Sequence, residues 1–102
     1  MIYTSFNDFF AVLSSKQRVK ILQLLNREGP HCVNQIKNKL KVEQSAISHD
    51  MKRLLGCRFV FVERKGKERV YSINKTTIQP LFNLIREHVE AHCVRKDNKW
   101  ND

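Results

Sequence analysis

The chain has 102 residues, 41% of them hydrophobic; that favours one domain with a modest core and excludes a disordered chain except at its ends. Lysine and arginine number 19 against 10 aspartates and glutamates, a formal net charge of +9, which points to an anionic partner, most often nucleic acid. No stretch approaches the roughly 18 apolar residues of a membrane span, the N-terminus lacks the basic start of a signal peptide, and three cysteines without CxxC spacing argue against a disulfide scaffold and a zinc finger.

Phe6, Phe9, Phe10 and Leu13 recur at helical spacing, so residues 5–13 are expected to form a first helix with one apolar face. Ser14 or Ser15 can cap a second helix whose core face holds Val19, Leu22 and Leu25, with Ile21 alongside. Gly29-Pro30 ends it, because glycine accepts a left-handed cap and proline cannot continue a helix. Val33, Ile36 and Leu40 mark a short third helix. Lys41-Val42-Glu43 is a tight connection to a fourth, which breaks near Gly56. The period then changes. Phe59 to Val62 is dense in aromatic and β-branched residues, as a strand should be. Arg64 to Glu68 reads as a turn around Gly66, and Val70, Tyr71 and Ile73 as the returning strand. Ile78, Leu81, Phe82, Ile85 and Val89 form the apolar stripe of a last helix, with Pro80 in its first turn.

The expected order is α-α-α-α-β-β-α, a mostly helical winged helix-turn-helix with a β-hairpin wing. One domain is expected over residues 1–94, with a polar, flexible tail over 95–102. The first and last helices are more apolar than so small a core needs. Phe6, Phe9, Phe10, Leu13, Leu81, Phe82, Ile85 and Val89 are expected to pack against the same residues of a second copy.

The fourth helix has two faces. Ile47, Met51, Leu54 and Leu55 fall on one; Ser45, Ser48, His49 and Lys52 fall on the other. Short polar side chains are what a helix needs to reach base edges in the major groove. Gln44 can pair with adenine; His49 and Lys52 can reach a guanine N7 or a phosphate. The bland alternative is a solvated helix face. The neighbouring hairpin shifts the balance, because Arg64, Lys65, Lys67 and Arg69 place four cations within six positions, where a wing would meet the DNA backbone. Glu63 and Glu68 partly offset them. Gln35 and Lys39 are further candidates, for phosphate contacts from the third helix. The expected partners are therefore a double-stranded DNA operator and a second copy of the chain, with no membrane, in the cytoplasm.

Four stretches carry a resemblance to the ArsR family of bacterial and archaeal repressors, across about residues 5–93. They are residues 10–22, with Leu13-Ser14 and Arg18 at the family's positions; Cys32-Val33-Asn34-Gln35-Ile36; Gln44-Ser45-Ala46-Ile47-Ser48-His49; and residues 64–73, ending in Val70-Tyr71-Ser72-Ile73. The resemblance implies a homodimeric repressor, joined through its first and last helices, which releases a palindromic operator on a chemical signal. The family's metal ligands are incompletely kept. Cys32 matches the first of two cysteines in the third-helix site, but Asn34 replaces the second, and a soft metal prefers thiolates. At the last-helix site Lys75 and Thr77 stand in the first two places, His88 keeps the third and Ala91 fills the fourth. No cofactor is expected, and a repressor with no metal inducer is one open reading.

His88 and His92, at i and i+4 with Cys93 adjacent, could contribute to an unconventional zinc site; the alternative is two solvent-facing histidines at a helix C-terminus. Cys57 is expected to be a buried structural thiol. A redox pair of Cys32 with Cys93 depends on a distance that sequence does not give. Glu43 stands where the family has a Ser or Thr cap, Asp50 could point sideways or accept from a cytosine N4, and Arg58 replaces a helix-ending glycine, so the helix end could be rearranged. No nucleophile with a paired base, no carboxylate dyad and no phosphate-cradling glycine loop is present, which argues against an enzyme. A winged-helix RNA-binding or protein-interaction module remains the alternative, although single-stranded RNA would favour exposed aromatics.

Overall fold

The computed structural model describes residues 2–93, with side chains from Phe6 onward. The expected tail over 95–102 lies outside the described residues. Five α-helices and three strands follow in the order α1 (Ile2–Leu13), α2 (Lys16–Glu28), β1 (His31–Cys32), α3 (Val33–Leu40), α4 (Gln44–Gly56), β2 (Val60–Lys65), β3 (Glu68–Ile73) and α5 (Ile78–His88). A π-helical turn, Val89–Cys93, continues α5.

Local chemistry sets most boundaries. The Ser15 hydroxyl accepts from the Arg18 N–H at 3.2 Å and so caps α2. Gly29, at φ +89°, ends that helix. The Gln35 side chain reaches back to the Cys32 N–H at 2.9 Å and starts α3. Lys41, left-handed at φ +58°, turns the chain into α4. Glu43 occupies the N-cap of α4 with no side-chain bond to the helix. The buried Asn74 does more: its amide oxygen accepts from the Thr76 and Thr77 N–H groups ahead of α5, and its Nδ2 donates to the Arg58 carbonyl at 2.9 Å.

The sheet has three antiparallel strands in the order β1-β3-β2. β1 is an addition to the expected elements; two residues carry no readable period, and only pairing of His31 with Tyr71 and Cys32 with Val70 defines them. The hairpin strands run further than expected, to a loop of Gly66 and Lys67 between the Lys65–Glu68 pair. Gly66, at φ +64°, takes the conformation such a loop requires.

The core joins α2, α4, the sheet and the start of α5. Ile21, Leu22, Ile36, Ile47, Met51 and Leu54 are fully buried. Leu24 takes a core place, whereas Val19 is only half-buried against it. Phe9 fixes α1 onto this core by packing on Phe59, ring centroids 4.9 Å apart. Phe82 is buried within the same core, so these two residues, expected at a face between copies, serve the chain's own interior first. Phe6, Phe10, Leu84, Ile85 and Val89 remain exposed, Phe6 by 61% and Leu84 by 63%.

One expectation at the end of α4 is corrected: Cys57 is exposed, not buried. The helix ends at Gly56, and Arg58 itself takes the left-handed turn at φ +61°. That reversal sends Phe59, not Cys57, into the core. A non-glycine residue there costs about 1–2 kcal/mol, partly offset by about 0.5–1 kcal/mol of glycine's extra unfolded-state entropy. Arg58→Gly should therefore raise stability by about 0.5–1 kcal/mol in urea unfolding, while Arg58→Ala should give no gain.

Candidate nucleic-acid interface

Helix α4 divides as its sequence implies. Ile47, Met51 and Leu54 point into the core; Gln44, Ser45, Ser48, His49 and Lys52 are all exposed. The connection 41–43 joins α4 to α3 tightly, giving the two helices of a helix-turn-helix. Asp50 is not on the exposed face, which removes the suggested cytosine contact. It is 6% exposed, and its carboxylate accepts from Arg18 Nη1 at 3.2 Å and Gln17 Nε2 at 2.6 Å.

The wing's charge is sorted by register. Arg64 lies directly opposite Arg69, while Lys65 lies opposite Glu68 and Glu63 opposite Val70. Paired residues share a strand face and successive residues alternate. Arg64 and Arg69 therefore continue the face that carries Val60, Tyr71 and Ile73 into the core. Both glutamates fall on the other face. Like charges directly opposite are unfavourable in the free protein, and a phosphate between two guanidiniums removes that repulsion.

Between α4, the wing and the start of α3 lies an open groove of about 630 Å³. It brings together Gln44, Ser48 and Lys52 from α4 with Lys67, Glu68 and Arg69 from the wing, over a floor that includes Val33, Leu55 and Tyr71. Ser45, His49, Arg64 and Lys65 are exposed outside its lining.

The third-helix candidates are partly committed elsewhere. Gln35 uses its amide oxygen on the Cys32 N–H, leaving its NH₂ out of that bond. Lys39 donates to Glu28 at 2.7 Å and to Nε2 of the buried His31 at 2.8 Å. The hydrogen bond from Lys39 is the main reason that the Glu28 carboxyl has a lowered pKa. Whatever stability this exposed pair contributes is present above the unfolded carboxylate's pKa and lost as pH falls through the folded one.

The metal candidates do not converge. Cys32 is buried while Asn34 is exposed, as are Lys75, Thr77, His88 and Ala91. The His88 and His92 rings lie 5.0 Å apart between centroids. Among the described residues no three His, Cys, Asp or Glu side chains form a metal-holding group. Cys32, Cys57 and Cys93 are all free thiols.

His31 and Asn74 carry contacts that no sequence pattern pointed to. An ammonium can only donate, so His31 Nε2 must accept from Lys39, and Nδ1 must carry the proton that bonds the Gly29 carbonyl at 2.8 Å. Long-range nitrogen–proton NMR at neutral pH should show His31 as the Nδ1–H tautomer; an Nε2–H signal would contradict this contact.

Comparison with known proteins agrees with this geometry. The family model described as bacterial regulatory protein, arsR family, matches residues 15–61. The transcriptional repressor SdpR of Bacillus subtilis is 31% identical over 79 residues, covering 78% of this chain and 87% of that protein. The transcriptional repressor SmtB homolog of Synechocystis is 28% identical over 83 residues, or 81% of this chain; the chain spans 62% of that relative's length. The homodimeric winged helix-turn-helix DNA-binding domain Mb0332 of Mycobacterium bovis superposes with a TM-score of 0.82 at 22% identity, over 91% of this chain and 85% of that one, which shows the shared fold. The chain belongs to the ArsR family of bacterial regulatory proteins.

Proposed function

We propose that the chain is a homodimeric, sequence-specific repressor that binds double-stranded DNA. The observation that carries this is the groove, where the short polar side chains of α4 face Lys67 and Arg69 of the wing, with Arg64 paired to Arg69 just outside its lining. Gln44, Ser45, Ser48, His49 and Lys52 would read base edges and nearby phosphates. Arg64, Lys65, Lys67 and Arg69 would hold the backbone. Gln35 would use for a phosphate the NH₂ that its bond to the Cys32 N–H leaves out; Lys39 would have to leave Glu28 and His31 to take one. That relatives carry the names of transcriptional repressors supports the role.

The dimer reading rests on Phe6 and Phe10 on α1 and Leu84, Ile85 and Val89 at the other end of the chain. Leu13 and Leu81 are half-buried beside them. Exposed apolar side chains of this size on two helices favour a second copy, and Mb0332 is described as homodimeric. The replacement of thiolate and histidine ligands favours control without a metal inducer. No described helix is long and apolar enough to cross a membrane, and the proposed site of action is the cytoplasm, with the DNA.

Fluorescence anisotropy against DNA upstream of the chain's own coding sequence and against random duplex tests the site. Ser48→Ala or His49→Ala should lose about 1–3 kcal/mol of discrimination. Lys67→Ala or Arg69→Ala should weaken both duplexes alike and reduce the salt slope by about one. Equal losses on both duplexes for all four variants would overturn this division of labour. Sedimentation should show a dimer that the double variant Phe10→Glu, Leu84→Glu dissociates; a monomeric wild type would reject the dimer.

A further inference from the structure

Asp50 is an acidic residue on the inward side of a helix whose outward side is built for an anion. Both its carboxylate oxygens are used, Oδ1 by Arg18 and Oδ2 by Gln17, each from α2. The Arg18 and Asp50 side chains are only 14% and 9% exposed. The same guanidinium also donates from Nε to the Val12 carbonyl at 2.7 Å and from Nη2 to the Ala11 carbonyl at 3.3 Å. Those carbonyls belong to the last turn of α1, where a helix leaves its acceptors without intrahelical partners. One arginine therefore ties the C-terminal end of α1 to the middle of α4.

We infer that Asp50, Arg18 and Gln17 form a positioning lock that fixes the recognition helix relative to α1, and through α1 relative to the second copy. This rests on the dimeric DNA-binding reading above, since α1 carries Phe6 and Phe10. The aliphatic face of α4 is not enough for that task. Ile47, Met51 and Leu54 are held by non-directional burial, which a helix can keep while it slides or rotates slightly. A carboxylate held by a guanidinium and an amide, each at hydrogen-bond distance, has direction. A buried ion pair adds little net stability compared with apolar packing, and fixing a unique geometry is its best-attested use. A dimer reads two half-sites at a separation set by its own shape. The lock defines that separation, so it governs how sharply the protein rejects half-sites spaced wrongly. Asp50, Arg18 and Gln17 need touch no DNA to do so; they are positioning residues.

The test uses a duplex selected from a random library by the wild-type protein, and the same duplex with one central base pair added or removed. Wild type should lose about tenfold or more in affinity on either change, the scale of one lost base contact. Asp50→Asn and Arg18→Lys should weaken binding to the selected duplex while shrinking that spacing penalty to about threefold or less. Binding to random duplex and its salt slope should stay unchanged. Leu24→Ala, in the core and outside the lock, serves as the control of lowered stability, all proteins being assayed well below their unfolding temperatures. It should keep the full spacing penalty. If Asp50→Asn does not fold, Arg18→Lys decides alone, because it keeps the positive charge. An unchanged spacing penalty in the lock variants overturns the inference, as does a wild type that binds specifically without spacing preference. A wild type that prefers no duplex over random DNA overturns the DNA-binding reading itself, and the lock with it.

Discussion

The structure depends on the burial of one side of α4. Ile47, Met51 and Leu54 are completely removed from water, and each such side chain is worth about 1.5–3 kcal/mol of transfer free energy. Everything that packs on α4 is arranged to take that side: α2 behind it, Phe59 and Val60 below it, Ile36 of α3 beside it. With one side fixed, the helical period of 3.6 residues leaves Gln44, Ser45, Ser48, His49 and Lys52 no place but the surface. The core of this small protein and its candidate interface are two sides of one helix.

The wing answers to a different constraint. In sequence its charges form a mixed run of four cations and two glutamates. Pairing Arg64 with Arg69 sets the register, and with it every side chain's face. A slip by one residue would exchange the strand faces of the glutamates and the guanidiniums. Val60, Tyr71 and Ile73, buried on the same face as the arginines, hold the register where it is. Apolar packing at one end of the hairpin thus determines the electrostatics at the other.

Polar contacts inside the chain join elements that the core alone would only press together. Asn74 links the end of β3 to Arg58, whose left-handed turn directs Phe59 inward. His31 and Lys39 join β1 to α3 and, through Glu28, to α2. Gln79, Asn26 and Asn83 form a short amide chain between α2 and α5. Hydrogen bonds constrain angle as well as distance, so these groups specify how helices sit, where burial specifies only that they meet.

The sequence by itself determined the element order apart from β1, the two faces of α4, a serine cap at Ser14 or Ser15 and the turns at Gly29 and Gly66, because each follows from local periodicity or from the φ a residue can adopt; the structure chose Ser15. It also determined the family resemblance, carried by residues near in sequence. It did not determine β1, whose two residues become a strand only by pairing with β3. It could not place Asp50 inward against Arg18, 32 residues away, or show that Lys39 is drawn to Glu28 and His31. It put Cys57 in the core because neighbours Leu55 and Phe59 are apolar, whereas the backbone reversal at Arg58 turns it out. Tertiary structure decided these points for one physical reason: a charged or polar side chain takes its partner from whatever the fold brings within about 3 Å, and periodicity along a chain carries no information about that distance.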